Sequence, residues 1–138
     1  MDNVQEIAVN YLAVLVAAIV KVVIAGAWFA IPVNNKAWMT ATHSTKDDIK
    51  KRTPVALAVD LVSSLVLAWI LAHAIGYAGA KGAGPGAMVG FFNWLGFILA
   101  AQIPQLTWDK RDPKFFASAQ IFMLLAFLAM GAILGGWG

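Results

Sequence analysis

Four long apolar runs alternate with short polar stretches along this chain, at residues of about 7–31, 55–77, 85–106 and 115–137. Each holds roughly 22–25 residues, and a helix rising about 1.5 Å per residue crosses about 30 Å of hydrocarbon over that length. Helices buried in a soluble core have no need to be so long or so uniformly apolar. Each run therefore predicts a membrane-crossing helix. The expected fold is all-α, a four-helix transmembrane bundle forming a single integral membrane domain over residues 1–138.

The punctuation between runs fits this reading. Pro32 is expected to close the first helix, and Pro54 to occupy the first turn of the second, where a missing N–H is harmless. Gly79 to Gly86 reads as a flexible turn, and Pro104 and Pro113 bracket the third connection. Ser44-Thr45-Lys46-Asp47-Asp48 reads as the start of a short interfacial helix. Ile31-Pro32 with Trp38, and Ile103-Pro104 with Trp108, form a short echo that a duplication into parallel repeats would leave.

Composition sharpens the picture. The chain is 61% hydrophobic and 12% charged, whereas soluble domains are about a quarter charged. So few charges cannot cover a soluble domain of this size, which makes the lipid bilayer the expected partner of most of its surface. The basic residues lie in short connections rather than in one patch, so nucleic acid is not an expected partner. The absence of cysteine excludes disulfides, thiolate metal sites and cysteine nucleophiles.

Lysine and arginine set the orientation. Lys36, Lys46, Lys50, Lys51 and Arg52 lie in the first connection, and Lys110, Arg111 and Lys114 in the third, against Lys81 alone on the opposite side. That eight-to-one bias predicts the first and third connections in the cytoplasm and both termini on the outer, periplasmic side. Trp28, Trp38, Trp108, Trp137, Tyr11 and Tyr77 fall near the expected interfaces, as amphipathic rings should. Met1-Asp2-Asn3-Val4-Gln5-Glu6 is acidic where a signal peptide is basic, so the first run is expected to be retained.

Ionisable and amide groups at membrane depth are the candidate site. Lys21 lies near the middle of the first helix, and Asp60 lies about two turns into the second. Asp60, Ser64, Ala68, Ala72 and Gly76 form a small-residue stripe that is expected to face protein. Lys21 and Asp60 differ in depth by roughly 6 Å, within reach of a lysine side chain. The tilt of side chains toward their own helix N-terminus points Lys21 away from Asp60 and argues against that pairing. Gln102 and Gln120 lie near the depth of Asp60, and Asn93 nearer that of Lys21. These amides read as interhelical glue or as the lining of a polar path. Gly86, Gly90, Asn93, Phe97 and Ala100 are expected to share one face of the third helix. His73, near the outer end of the second helix, is a weak ligand candidate with only Met88, Met123 and Met130 as soft partners. His43 is expected in solvent. Carboxylates are not paired at one depth, and no nucleotide motif occurs. No enzyme activity, catalytic residue, metal or cofactor is expected.

Asn10-Tyr11-Leu12-Ala13-Val14-Leu15-Val16-Ala17-Ala18, Gly26-Ala27-Trp28 and Lys36-Ala37-Trp38-Met39 resemble the opening of the bacterial membrane family called domain of unknown function 1761. Leu71-Ala72-His73, Asn93-Trp94-Leu95-Gly96-Phe97 and Met130-Gly131-Ala132-Ile133-Leu134-Gly135 resemble its later segments. The resemblance implies a four-helix bacterial inner-membrane protein and brings no established activity. Two positions depart from the family pattern: Lys21 stands where an apolar residue is usual, and Ala119-Gln120 where an aromatic and a histidine are expected.

Gly86 with Gly90, and Gly131 with Gly135, are small-xxx-small pairs. Four helices were expected to satisfy only some of these faces within one chain, which points to a homo-oligomer or a larger membrane complex. The expected role is therefore a structural or accessory membrane subunit. The alternative is a small transporter or channel using Lys21, Asp60, Asn93 and Gln120. Reporter fusions test the orientation: one at Gly138 is expected to be active only outside, and one between Lys46 and Arg52 only inside. A cytoplasmic C-terminus would reverse it.

Overall fold

Asn10 starts the first helix by accepting the Ala13 backbone N–H on its Oδ1 at 3.2 Å. Helix α1 therefore spans Tyr11–Ala30, and the apolar residues before Asn10 stay outside it. The computed structural model describes residues 7–137, so the readings made on Met1 to Glu6 and on Gly138 lie outside the described residues. Ile31, with φ −63° and ψ 127°, takes the extended conformation that a following proline imposes. Pro32 then opens a short helix, α2 (Pro32–Thr42), which ends on His43 in the left-handed conformation.

The next helix corrects the reading of Pro54. Thr45 and Asp48 form a reciprocal capping box, with Thr45 Oγ1 accepting the Asp48 N–H and Asp48 Oδ2 accepting the Thr45 N–H. From that cap α3 runs unbroken over Lys46–Ala78, with Pro54 inside it. There is no separate interfacial helix here. Pro54 removes one backbone donor, but residues 51–59 are exposed, so the carbonyl it frees has open surroundings. At about 1.5 Å per residue, α3 is longer than the hydrocarbon core is thick, and its basic first turns extend past the apolar stretch.

Gly79 ends α3 in a left-handed cap, and Gly82, at φ 106°, turns the chain into α4 (Ala83–Trp108). Helix α4 is irregular. Its segment Trp94–Leu99 is π-helical, with the Ala100 N–H bonded five residues back to Leu95. A wide turn of this kind absorbs one extra residue. Without it, at about 100° per residue, Gln102 would sit about 120° from the face of Gly90; with it the offset is about 20°. The regular face expected from Gly86 to Ala100 is thereby broken: Trp94 is buried while Phe97 is 75% exposed. Helix α5 (Pro113–Gly136) completes the chain. The described residues are all helical or irregular, without strands, and α1, α3, α4 and α5 are long and apolar enough to cross a membrane.

Helix α5 is the hub, touching α1, α3 and α4, whereas α3 and α4 barely meet. The tightest contact is between α4 and α5. A Cβ on Gly86 would overlap the Gly131 carbonyl, and one on Gly90 would overlap the Phe127 carbonyl. The Gly82 N–H even bonds the Gly135 carbonyl directly, at 2.9 Å. The two glycine pairs thus satisfy each other inside one chain, contrary to the expectation that some would need a second molecule. The echo between halves also fades, since Trp38 packs 6.2 Å from Phe29 whereas Trp108 is 85% exposed.

Ser118 Oγ in the second turn of α5 donates to Asn34 Oδ1 of α2 at 3.0 Å, which puts the start of α5, just after the third connection, at the same end of the bundle as the first. Ile7 and Trp137 lie together at the other end, lining one recess.

The glycine contact makes a direct prediction. Gly131→Ala places a methyl against the Gly86 backbone and is expected to destabilise the bundle by about 1–3 kcal/mol. Gly26→Ala meets nothing within 4 Å and should be neutral, or stabilising by up to about 1 kcal/mol. Thermal unfolding of both variants in detergent reads the difference.

Candidate functional site

Lys21 lies on the buried face of α1, and its ammonium has found partners after all. Nζ donates to Asp60 Oδ1 at 3.2 Å and to Ser64 Oγ at 2.9 Å. The argument from side-chain tilt fails because Ser64, one turn beyond Asp60, sits close to the level of Lys21 and takes the shorter bond. The four flexible carbons of lysine cover the remaining offset. Nζ also stands over the Phe122 ring, 5.8 Å from its centroid, which adds a cation–π attraction from α5. Three helices therefore converge on one cation.

The two charges are unequally sheltered. The Lys21 side chain is 8% exposed and that of Asp60 34%. Among the described residues, both bonds to Asp60 arrive at Oδ1 and none at Oδ2. Asp60 borders a cleft of about 500 Å³ whose walls include Phe29, Trp38, Leu57 and Phe122. Beyond Lys21, toward Ile7 and Trp137, the buried side chains are apolar, including Val14, Ala18, Ala68, Leu71 and Met130. The ammonium marks the boundary between a half with an apolar core and a half that carries the cleft.

The small-residue stripe of α3 is only partly as expected. Ser64 and Ala68 are fully buried, but the buried face continues through Leu71 and Ile75. Ala72 is half-buried and Gly76 is exposed, with Ile7 lying against it. A helix turns about 100° per residue, so a strict i+4 row drifts off a straight contact line within three turns.

The remaining polar candidates do not join Lys21 and Asp60. Gln120 Nε2 donates to Gln102 Oε1 at 2.7 Å, linking α5 to α4. Asn93 Nδ2 donates to the Val89 carbonyl of its own helix. His73 Nδ1 donates to the Trp69 carbonyl at 2.8 Å, and its ring lies between Trp69 and Tyr77. Among the described residues, no three histidines or carboxylates gather to hold a metal ion.

Sequence reasoning missed a second buried cluster. Trp28 Nε1 donates to Ser118 Oγ at 3.0 Å, Ser118 donates to Asn34, and Asn34 Nδ2 donates to the Trp28 carbonyl at 3.1 Å. This closed ring fixes α2 against α1 and α5. Trp28 was read as an interfacial aromatic, and Asn34 lay in a connection with no periodic signal to place it. Ser64 was visible as the residue one turn after Asp60. Trp94 Nε1 and Gln120 Oε1 are buried with no hydrogen-bond partner among the described residues.

Comparison with known proteins identifies the lineage. Residues 12–135 match a family described as Protein of unknown function (DUF1761). No curated protein and no solved structure matches the chain.

A double-mutant cycle measures the coupling at Lys21. Asp60→Asn leaves the ammonium without its counter-charge and is expected to lower stability. The loss should fall below the about 3–5 kcal/mol of a fully buried pair, since Asp60 is partly exposed. Combining it with Lys21→Met should restore most of that loss. Additive effects in detergent melting would show that the two charges contribute independently.

Proposed function

The chain belongs to the DUF1761 family, and from that premise we propose that it is an accessory subunit of a bacterial inner-membrane assembly. In this reading the basic connections face the cytoplasm and both termini face outward. One observation carries the proposal: the outward face of α3 is an apolar row that no other described residue covers. Val55, Val59, Val62, Val66, Trp69 and His73 recur at the alternating three- and four-residue spacing of packed helices. Val55, Val59 and Val62 are each more than 60% exposed. Lipid can cover valines as well as a protein can, so exposure alone decides nothing.

The polar residues beside the seam favour a helix. Ser63 is exposed on that face, and Asp60 borders a second recess there with Val55, Val59 and Ser63. A partner helix can donate to a carboxylate, and hydrocarbon cannot. A parallel second copy on this seam would bring Lys46, Lys50, Lys51 and Arg52 against their duplicates, so the chemistry favours a different chain with an acidic end. The glycine pairs no longer argue for a homo-oligomer, because they are satisfied within the chain.

The transporter reading keeps one footing, the exposed Asp60 carboxylate at the cleft. It draws no support from Asn93 and Gln120, which bond elsewhere, or from the apolar packing beyond Lys21.

Native mass measurement of the complex, extracted gently from its own membrane, tests the subunit reading. The chain is expected to travel with a second polypeptide, and Val62→Trp with Val66→Trp should release it as a monomer. A wild-type chain that is already monomeric would overturn the proposal.

A further inference from the structure

Helices α2 and α3, joined by the turn at His43 to Thr45, make few contacts with each other, and the wedge between them is not filled by protein. Its closed end is polar, a recess of about 360 Å³ lined by Thr42, His43, Ser44, Asp48, Lys51 and Arg52. Its open end is the apolar cleft of about 500 Å³ that reaches Phe29 and Phe122. Trp38 and Thr53 line the cleft one turn from Thr42 and next to Arg52 respectively, both of which line the polar recess. A polar head and an apolar tail are thus laid out in order from the interface inward.

The charge at the closed end selects the head. Between residues 36 and 52 there are five basic side chains and two acidic ones. Of the two, Asp48 has its carboxylate engaged by the Thr45 N–H at 3.0 Å. Arg52 is held in place, its Nε donating to the Asp48 carbonyl and its Nη2 to Ser44 Oγ. Its Nη1 has no bond among the described residues. A fixed guanidinium with a free edge, beside a lysine, is suited to phosphate oxygens. Deeper in, Asp60 is balanced by Lys21, so the cleft does not repel an anionic molecule.

We propose that this wedge binds an anionic phospholipid, with its phosphate at Lys51 and Arg52 and an acyl chain along Phe29, Leu57 and Phe122. The site shares Lys51 and Arg52 with the recess beside the α3 seam, but the cleft walls Phe29, Leu57 and Phe122 lie off that seam, so filling the cleft tests the lipid without touching the seam.

The full chain, purified and stripped of lipid, is offered phosphatidylglycerol or phosphatidylethanolamine, and retained lipid is read by native mass. Phosphatidylglycerol is expected to be retained in clear preference. Lys51→Gln with Arg52→Gln should weaken its retention about twenty-five-fold, since each cationic side chain near an anionic surface strengthens binding by about fivefold. Gly26→Leu should weaken it as well, by filling the cleft from a position whose Cβ meets nothing within 4 Å. If Gly26→Leu lowers the melting temperature, Ala56→Leu on the opposite wall replaces it as the reading. Equal retention of the two lipids would overturn the proposal, as would indifference to the filled cleft in the variant that stays folded. Displacement of the lipid by millimolar inorganic phosphate would also overturn it, by showing a site for phosphate alone.

Discussion

An ammonium group at the centre of a membrane must be neutralised or reach water, and Lys21 sets that requirement at the middle of α1. Insertion scales place the cost of an unpaired charge there at about 2.5–3.5 kcal/mol. The structure meets it from two helices at once. Asp60 and Ser64 on α3 supply oxygen at 3.2 and 2.9 Å, and Phe122 on α5 supplies a ring. These contacts fix the register of α3 against α1, since sliding α3 by one turn would move both oxygens by about 5.4 Å, beyond hydrogen-bonding range. A lipid-like interface of valines and leucines has no such preferred register.

The α4–α5 contact obeys the opposite rule. Nothing there is charged; instead four glycines remove every side chain from the line of approach, and backbone meets backbone. Apolar side chains gain little by leaving lipid for each other, so dispersion at short range and direct polar contact drive helix association in membranes. Gly82 bonding Gly135 is the limiting case, a backbone hydrogen bond between neighbouring helices. The π-helical turn in α4 then lets this close contact coexist with Gln102 meeting Gln120 further along.

Much of this was legible in the residues themselves. The four apolar runs, the cap at Thr45, the glycine pairs and the candidate Lys21 and Asp60 all follow from length, spacing and charge. What was not legible has physical causes. Pro54 reads as a helix start because proline usually marks one, yet the N-cap Thr45 nine residues earlier and open surroundings allow α3 to pass through it. Phe97 and Ala100 were placed on the face of Gly90 by a regular period that the π segment then breaks. Asn34 and Ser118 lie eighty-four residues apart, and no local pattern joins positions so distant. Leu71 and Ile75 take over the buried face from Ala72 and Gly76 because packing follows the helix contact line rather than residue size.

The two halves of the bundle differ in kind. Toward Ile7 and Trp137 the core is apolar and glycines draw α4 and α5 together. Toward the basic connections α2 is held by its hydrogen-bonded ring, and the cleft opens on Asp60. A bundle built this way resists rearrangement at one end while the other can accept a lipid or a neighbouring helix. Lys21 stands at the junction, with its charge engaged on α3 and its stem buried in α1. Whatever occupies the open half therefore lies against Asp60, the counter-charge of a cation that holds three helices together.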